Sequence, residues 1–228
     1  MTGALPKKFR GIKTTQEPLN EYAPKTIVNR LGQKSISLPR IDDGKRWAGF
    51  PGLSGVARRI TNVIPECRWY VEPFAGTAKV FQEILKSKKF TNTQFVLNDK
   101  SKFIFNWLLK EFFNDSNVVI LVEDFTNCIK CWDGPETFFL FDIPWNRSYY
   151  DQKFSCFDRY AVKEYEEEIL KICETIQGKF IITTRKESIR MKKSKFYNTL
   201  VTSEYVVSGK YPKVMLTSNF KIDGRKLR

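Results

Sequence analysis

The stretch that most constrains what this chain can fold into is Tyr70-Val71-Glu72-Pro73-Phe74-Ala75-Gly76-Thr77-Ala78-Lys79-Val80-Phe81. An apolar strand runs into an acid, breaks at Pro73, turns through small residues and restarts as a helix. That is the first strand–loop–helix of a nucleotide-type fold, in which a ligand lies across the carboxyl end of a parallel sheet. Gly76 and Ala78 keep side chains off the backbone that a ligand must approach. Thr77 is placed to cap a helix over 79–85, whose Val80, Phe81, Ile84 and Leu85 form one apolar face. Alone, such a loop is a weak signal, because many tight turns into helices resemble it.

The strands that follow strengthen it. Gln94-Phe95-Val96-Leu97 predicts a second strand ending at Asn98-Asp99. Asp99 stands 23 residues past Gly76, where a carboxylate can accept from both hydroxyls of a ribose. The same pair also suits a cap on the helical run 103–109, and both roles stay open. Val118 to Val122 predicts a third strand, closed by Glu123-Asp124-Phe125. Asp124 can accept from an adenine amine and Phe125 can flank the ring; a plain loop acid is the competing reading. Thr137-Phe138-Phe139-Leu140-Phe141 is apolar on both faces, as a central parallel strand should be, and ends at Asp142-Ile143-Pro144-Trp145. Four acid-terminated strands in succession are hard to assign to helix capping.

The remaining pattern completes an alternation of strands and helices. Ser54 to Ile64 reads as a helix stopped by Pro65, and Tyr160 to Ile176 as an acidic amphipathic helix. A fifth strand over 179–184 precedes a basic helix around 189–196. Strands at 204–207 and 214–217, joined by a turn at 208–212, form an antiparallel hairpin. The fold class expected is α/β: a Rossmann-like, seven-stranded, mainly parallel sheet with an antiparallel edge hairpin and helices on both faces.

Charge points to the partner. The chain of 228 residues carries a net charge of +14, which favours a polyanion such as nucleic acid. Residues 1–40 hold eight Lys or Arg against two acids, 185–196 six against one, and 210–228 six against one. Arg185, Lys186, Arg190, Lys192, Lys193 and Lys195 are the nucleic-acid-binding candidates. The amino-terminal residues lack the apolar core of a signal peptide, and the longest aliphatic run, Val118 to Val122, is too short to cross a bilayer. Five cysteines in no disulfide-like framework suggest a reducing, intracellular compartment, cytoplasmic or nucleoid-associated. The chain has no His, and Cys128-Ile129-Lys130-Cys131 has no second pair, so no metal site is expected.

From Lys45 to Phe220 these residues resemble the Dam-like DNA adenine-N6 methyltransferases, class I enzymes that use S-adenosylmethionine. Trp47-Ala48-Gly49 resembles the start of the family's Trp-Ala-Gly-Gly-Lys cofactor loop, and Val71-Glu72-Pro73-Phe74-Ala75-Gly76 its Val-Glu-Pro-Phe-x-Gly. Asn98-Asp99 is similar to the ribose-binding acid and Asp124-Phe125 to the adenine-binding pair. Asp142-Ile143-Pro144-Trp145 is similar to the catalytic Asp-Pro-Pro-Tyr, and Leu216 to Phe220 to the closing Ile-Thr-Asn-Tyr strand. The resemblance implies a cofactor site of Trp47, Ala48, Gly49, Glu72, Phe74, Gly76, Thr77, Ala78, Asp99, Asp124, Phe125 and Asp142. It implies a catalytic group of Asp142, Ile143, Pro144 and Trp145. The chain departs from the pattern at Pro51, Ala78 and Ile143, where the family has Lys, Gly and Pro. Only seventeen residues separate Asp124 from Asp142, so the usual target-recognition insert is missing.

The chemistry accounts for the residue types. An adenine amine is a poor nucleophile, because its lone pair is delocalised into the ring. The Asp142 carboxylate and the Ile143 carbonyl can accept from the NH2 and let the nitrogen pyramidalise. Trp145 can stack on an extruded base, a contact of about 1–3 kcal/mol. The function expected is methyl transfer to adenine N6 in DNA, with the basic segments or a protein partner positioning the substrate. The rivals are an RNA adenine methyltransferase of the same fold and a degenerate, nucleic-acid-binding accessory subunit. The expected organisation is a basic, irregular arm over 1–40, a catalytic domain over 41–222 and a basic tail over 223–228.

Overall fold

A computed structural model of the chain describes residues 27–28, 34–35, 55–112, 117–143, 162–185, 188–203 and 213–227. The expectations for Trp47, Ala48, Gly49, Pro51, Pro144, Trp145 and Lys186, and for the strand and turn over 204–212, lie outside these residues. Within the stretch read as an irregular arm, Ile27–Val28 pairs with Lys34–Ser35 in a short antiparallel ladder.

Seven strands form the main sheet: β1 (Trp69–Glu72), β2 (Gln94–Asn98), β3 (Val118–Leu121), β4 (Thr137–Asp142), β5 (Lys179–Arg185), β6 (Tyr197–Thr202) and β7 (Lys213–Ser218). Their spatial order is β3-β2-β1-β4-β5-β7-β6. The first five are parallel. β7 runs antiparallel to both β5 and β6 and makes the edge hairpin. The first strand of that hairpin starts earlier than the sequence suggested. The basic helix stops at Lys193, Ser194 is already extended, and Tyr197 to Thr202 pairs with β7. As an edge strand, β6 leaves Tyr197 and Leu200 more than half exposed, so its burial alternation is weak.

Helices α1 (Ala57–Val63), α2 (Lys79–Leu85) and α3 (Lys102–Phe112) cover one face of the sheet. Helices α4 (Phe125–Trp132), α5 (Val162–Cys173) and α6 (Ile189–Lys193) cover the other. The interval between Asp124 and Asp142 is filled by α4, its turn and β4, as a short crossover requires. Strand alternation feeds both cores: Phe138 and Leu140 face the first, Phe139 and Phe141 the second. Beyond β7, Leu227 at the end of a 3-10 turn (Gly224–Leu227) is buried in the first core.

Two local expectations for α2 are corrected. Its N-cap is Ala78, in the left-handed region at φ 47°, and no side-chain cap bond is made there, so Thr77 does not cap the helix. The orphan amide of Phe81 instead donates to Glu72, at 3.2 Å. Val80, Phe81 and Ile84 are buried, but Leu85 is half exposed, because the helix ends before that turn can bury it. Cys128 and Cys173 are buried free thiols, and Cys67 and Cys131 are half-buried. Among the described residues, no helix is long and apolar enough to cross a membrane and no cluster suits a metal ion.

Candidate active site

The chain builds β1, β2 and β3 in one direction across the sheet, then returns to place β4 and β5 on the other side of β1. The β1/β4 junction is therefore the topological switch point, where open α/β sheets bind ligands outside the carboxyl ends of their strands. The loop from Pro73 to Ala78 emerges there. Gly76 and Ala78 both take positive φ, at 51° and 47°. Ala78 thus adopts the conformation a glycine would favour, at a cost of about 1 kcal/mol for its Cβ.

Three of the sequence-predicted acids are brought to one side of this rim. Tyr70 on β1, Leu97 on β2 and Leu140 on β4 all face the first core, and Glu72, Asp99 and Asp142 follow them by two residues. Asp99 fixes the loop from below. Its Oδ2 accepts from the Gly76 amide at 3.0 Å and its Oδ1 from the Ser101 amide at 2.9 Å. The cap on α3 comes from Ser101, whose Oγ accepts from Ile104 N. Glu72 is buried; one of its carboxylate oxygens accepts from both the Tyr70 hydroxyl and the Phe81 amide. Asp142 accepts a 2.6 Å bond from the Thr183 hydroxyl on β5.

Low solvation sets the electrostatics. Burial raises the Glu72 carboxyl to about 8; the Tyr70 hydroxyl opposes this and nearby Asp142 adds to it. Burial raises Asp142 to about 7 against the Thr183 hydrogen bond. Asp99 rises to about 6 from burial, held back by the amides of Ser101 and Gly76. Such a cluster of raised carboxyls is where functional chemistry concentrates.

Asp124 stands apart from the three. It caps α4, accepting from the Thr126 amide at 3.0 Å and its hydroxyl at 2.8 Å, with Lys100 Nζ 3.7 Å away. Phe125 is 7% exposed, and its ring packs on Phe74 at 4.9 Å and Tyr165 at 5.9 Å, so little of either face is open. Phe74 is half-buried within that trio. Ile143 is buried in the second core, beside Phe141.

Arg185 closes β5 at the rim. From there α6 runs back along the sheet, until Phe196 packs on Phe180 at the opposite end of β5. Lys192, Lys193 and Lys195 are exposed. Arg190 is paired with Glu167 at 2.7 Å.

Three residues take roles that the sequence reading did not assign to them. Asn98, fully buried, donates to the carbonyls of Pro73 (2.9 Å) and Glu123 (3.0 Å) and accepts from the Glu123 amide (2.9 Å), so it ties the loops after β1, β2 and β3 together. Asn98→Ala leaves those groups unpaired and is expected to cost about 3 kcal/mol in urea unfolding. Tyr70 and Thr183 are the others. A hydroxyl inside an otherwise apolar central strand was the available signal.

No protein-family model matches the chain, and no curated protein matches it. Solved structures do. Spermidine synthase from Thermotoga maritima aligns with a TM-score of 0.51 at 14% identity, over 76% of this chain and 61% of that one. A protein assigned as an rRNA methylase from Clostridium thermocellum aligns at 0.50 and 15%, over 73% and 96%. TYW2 from M. jannaschii, in complex with AdoMet, gives 0.48 and 12%, over 78% and 80%. What the chain shares with the first two is the fold: a Rossmann-like, seven-stranded mixed sheet, parallel but for its edge hairpin.

Proposed function

We propose that this chain is an S-adenosylmethionine-dependent methyltransferase acting on the N6 amine of adenine in DNA. The observation that carries the reading is the convergence of Glu72, Asp99 and Asp142 on one side of the rim, around a loop whose backbone is open at Gly76. The donor set fits the cofactor. Each Asp99 oxygen accepts one amide and keeps a second lone pair for a ribose hydroxyl. When bound, the cofactor supplies an activated methyl group on sulfur. Asp124 and Phe74 lie further along the same strand ends, where the adenine moiety would be recognised.

The chain's own part in the reaction is to hold the acceptor amine. Asp142 accepts from the NH2, the Ile143 carbonyl is the second acceptor, and Pro144 and Trp145 complete the tetrad. The acceptors favour the pyramidal, nucleophilic nitrogen over the delocalised one, and alignment supplies much of the acceleration. Titration calorimetry with S-adenosylmethionine, followed by incorporation of labelled methyl into duplex DNA and single-stranded RNA, tests the reading. Micromolar binding with label on DNA adenine supports it. Label on RNA alone moves the substrate class, and no binding at millimolar cofactor with intact DNA binding favours an accessory role.

A further inference from the structure

Asp142 has two oxygens, and the structure treats them differently. Oδ1 lies 2.6 Å from the Thr183 hydroxyl, inside the range of a strong, charge-assisted O–H···O bond. Among the described residues, Oδ2 has no such partner. Thr183 is itself fully buried on β5, directly across from Asp142 in the parallel register. Among the described residues its hydroxyl reaches the carboxylate and, at 3.4 Å, the Phe141 carbonyl.

We infer that Thr183 is a positioning residue: its hydroxyl fastens Oδ1 of Asp142 and leaves Oδ2 as the oxygen offered to the substrate amine. The mechanistic part rests on the methyltransferase reading, but the hydrogen bond and its effect on the carboxyl do not. Removing the hydroxyl frees the carboxylate to rotate and withdraws a bond made to its charged form, so its proton is held more tightly. The other titratable groups facing Asp142 are Glu72 and Tyr70, both on β1, and Arg185 follows Thr183 by two residues on β5. All three stay the same in the comparison.

The test is to titrate Asp142 by carbon NMR of aspartate-labelled protein, in wild type, Thr183→Val and Thr183→Ser. The expected result is a midpoint about one pH unit higher in Thr183→Val, restored in Thr183→Ser. In methyl transfer, the acid limb of kcat should move by the same amount, with KM for cofactor unchanged. A midpoint that does not move in Thr183→Val overturns the proposal. A midpoint that moves in a protein without methyl transfer keeps the positioning role and removes the enzymatic reading. Where Thr183→Val does not yield folded protein, Thr183→Ala against Thr183→Ser reads the same titration.

Discussion

Asp142→Ala is expected to lower methyl transfer by about 10²–10³-fold, mostly in kcat, the usual effect of removing one transition-state hydrogen-bonding group. The carboxylate sits at the switch point, between Glu72 on β1 and Thr183 on β5, where partial burial limits the dilution of its bonds by water. Asp142→Asn keeps an acceptor oxygen in place and should lose less. The two variants also differ from wild type in pH dependence. Accepting from the amine needs the ionised carboxylate, so the wild-type rate should rise as pH passes through about 7. Asp142→Asn cannot titrate there and should lack that limb. Single-turnover rates from pH 5.5 to 9 read both effects. Full activity in Asp142→Ala with preserved thermal stability removes Asp142 from the chemistry.

Glu72→Gln should make the protein more stable, increasingly so as pH rises. Burial lifts this carboxyl from its usual 4.5 to about 8, so the folded state holds the proton more tightly than the unfolded one. Its contribution is therefore fully present below pH 4.5, declines as pH climbs toward 8 and stays lost above that. Asp99 and Asp142 act in the same direction, up to about 6 and 7. Gln stands in for the neutral acid and can still accept from Tyr70 and the Phe81 amide. At 1.36 kcal/mol per pH unit, the gap between variant and wild type above pH 8 has an upper bound of about 5 kcal/mol, on the order of 10 °C in Tm. Nearly equal stability at about pH 4 and a gap that widens to pH 8.5, read by thermal unfolding, is the expected pattern; a gap independent of pH contradicts it. Higher stability with weakened cofactor binding would mark Glu72 as a carboxylate kept for function.

Much of the fold was legible because its signals are local. Apolar runs bounded by Pro, Gly and acids located β1 to β5, and alternation with helices required a parallel sheet. The errors arose where the deciding interaction was distant in sequence. Thr77 has the right chemistry for a cap, yet the Phe81 amide is nine residues from the carboxylate that satisfies it. The β6 strand over Tyr197–Thr202 was missed because an edge strand exposes Tyr197 and Leu200 alike.

The amino-acid order by itself determined that acids would terminate successive apolar strands, since side-chain chemistry and strand length are properties of neighbouring residues. Only the tertiary structure decided which of those acids share a side. That depends on pleat parity and strand order, and these placed Glu72, Asp99 and Asp142 together while turning Asp124 to the start of α4. Desolvation is likewise a property of the assembled core, which is why no stretch of sequence announces that these carboxyls are raised above the usual carboxylate range.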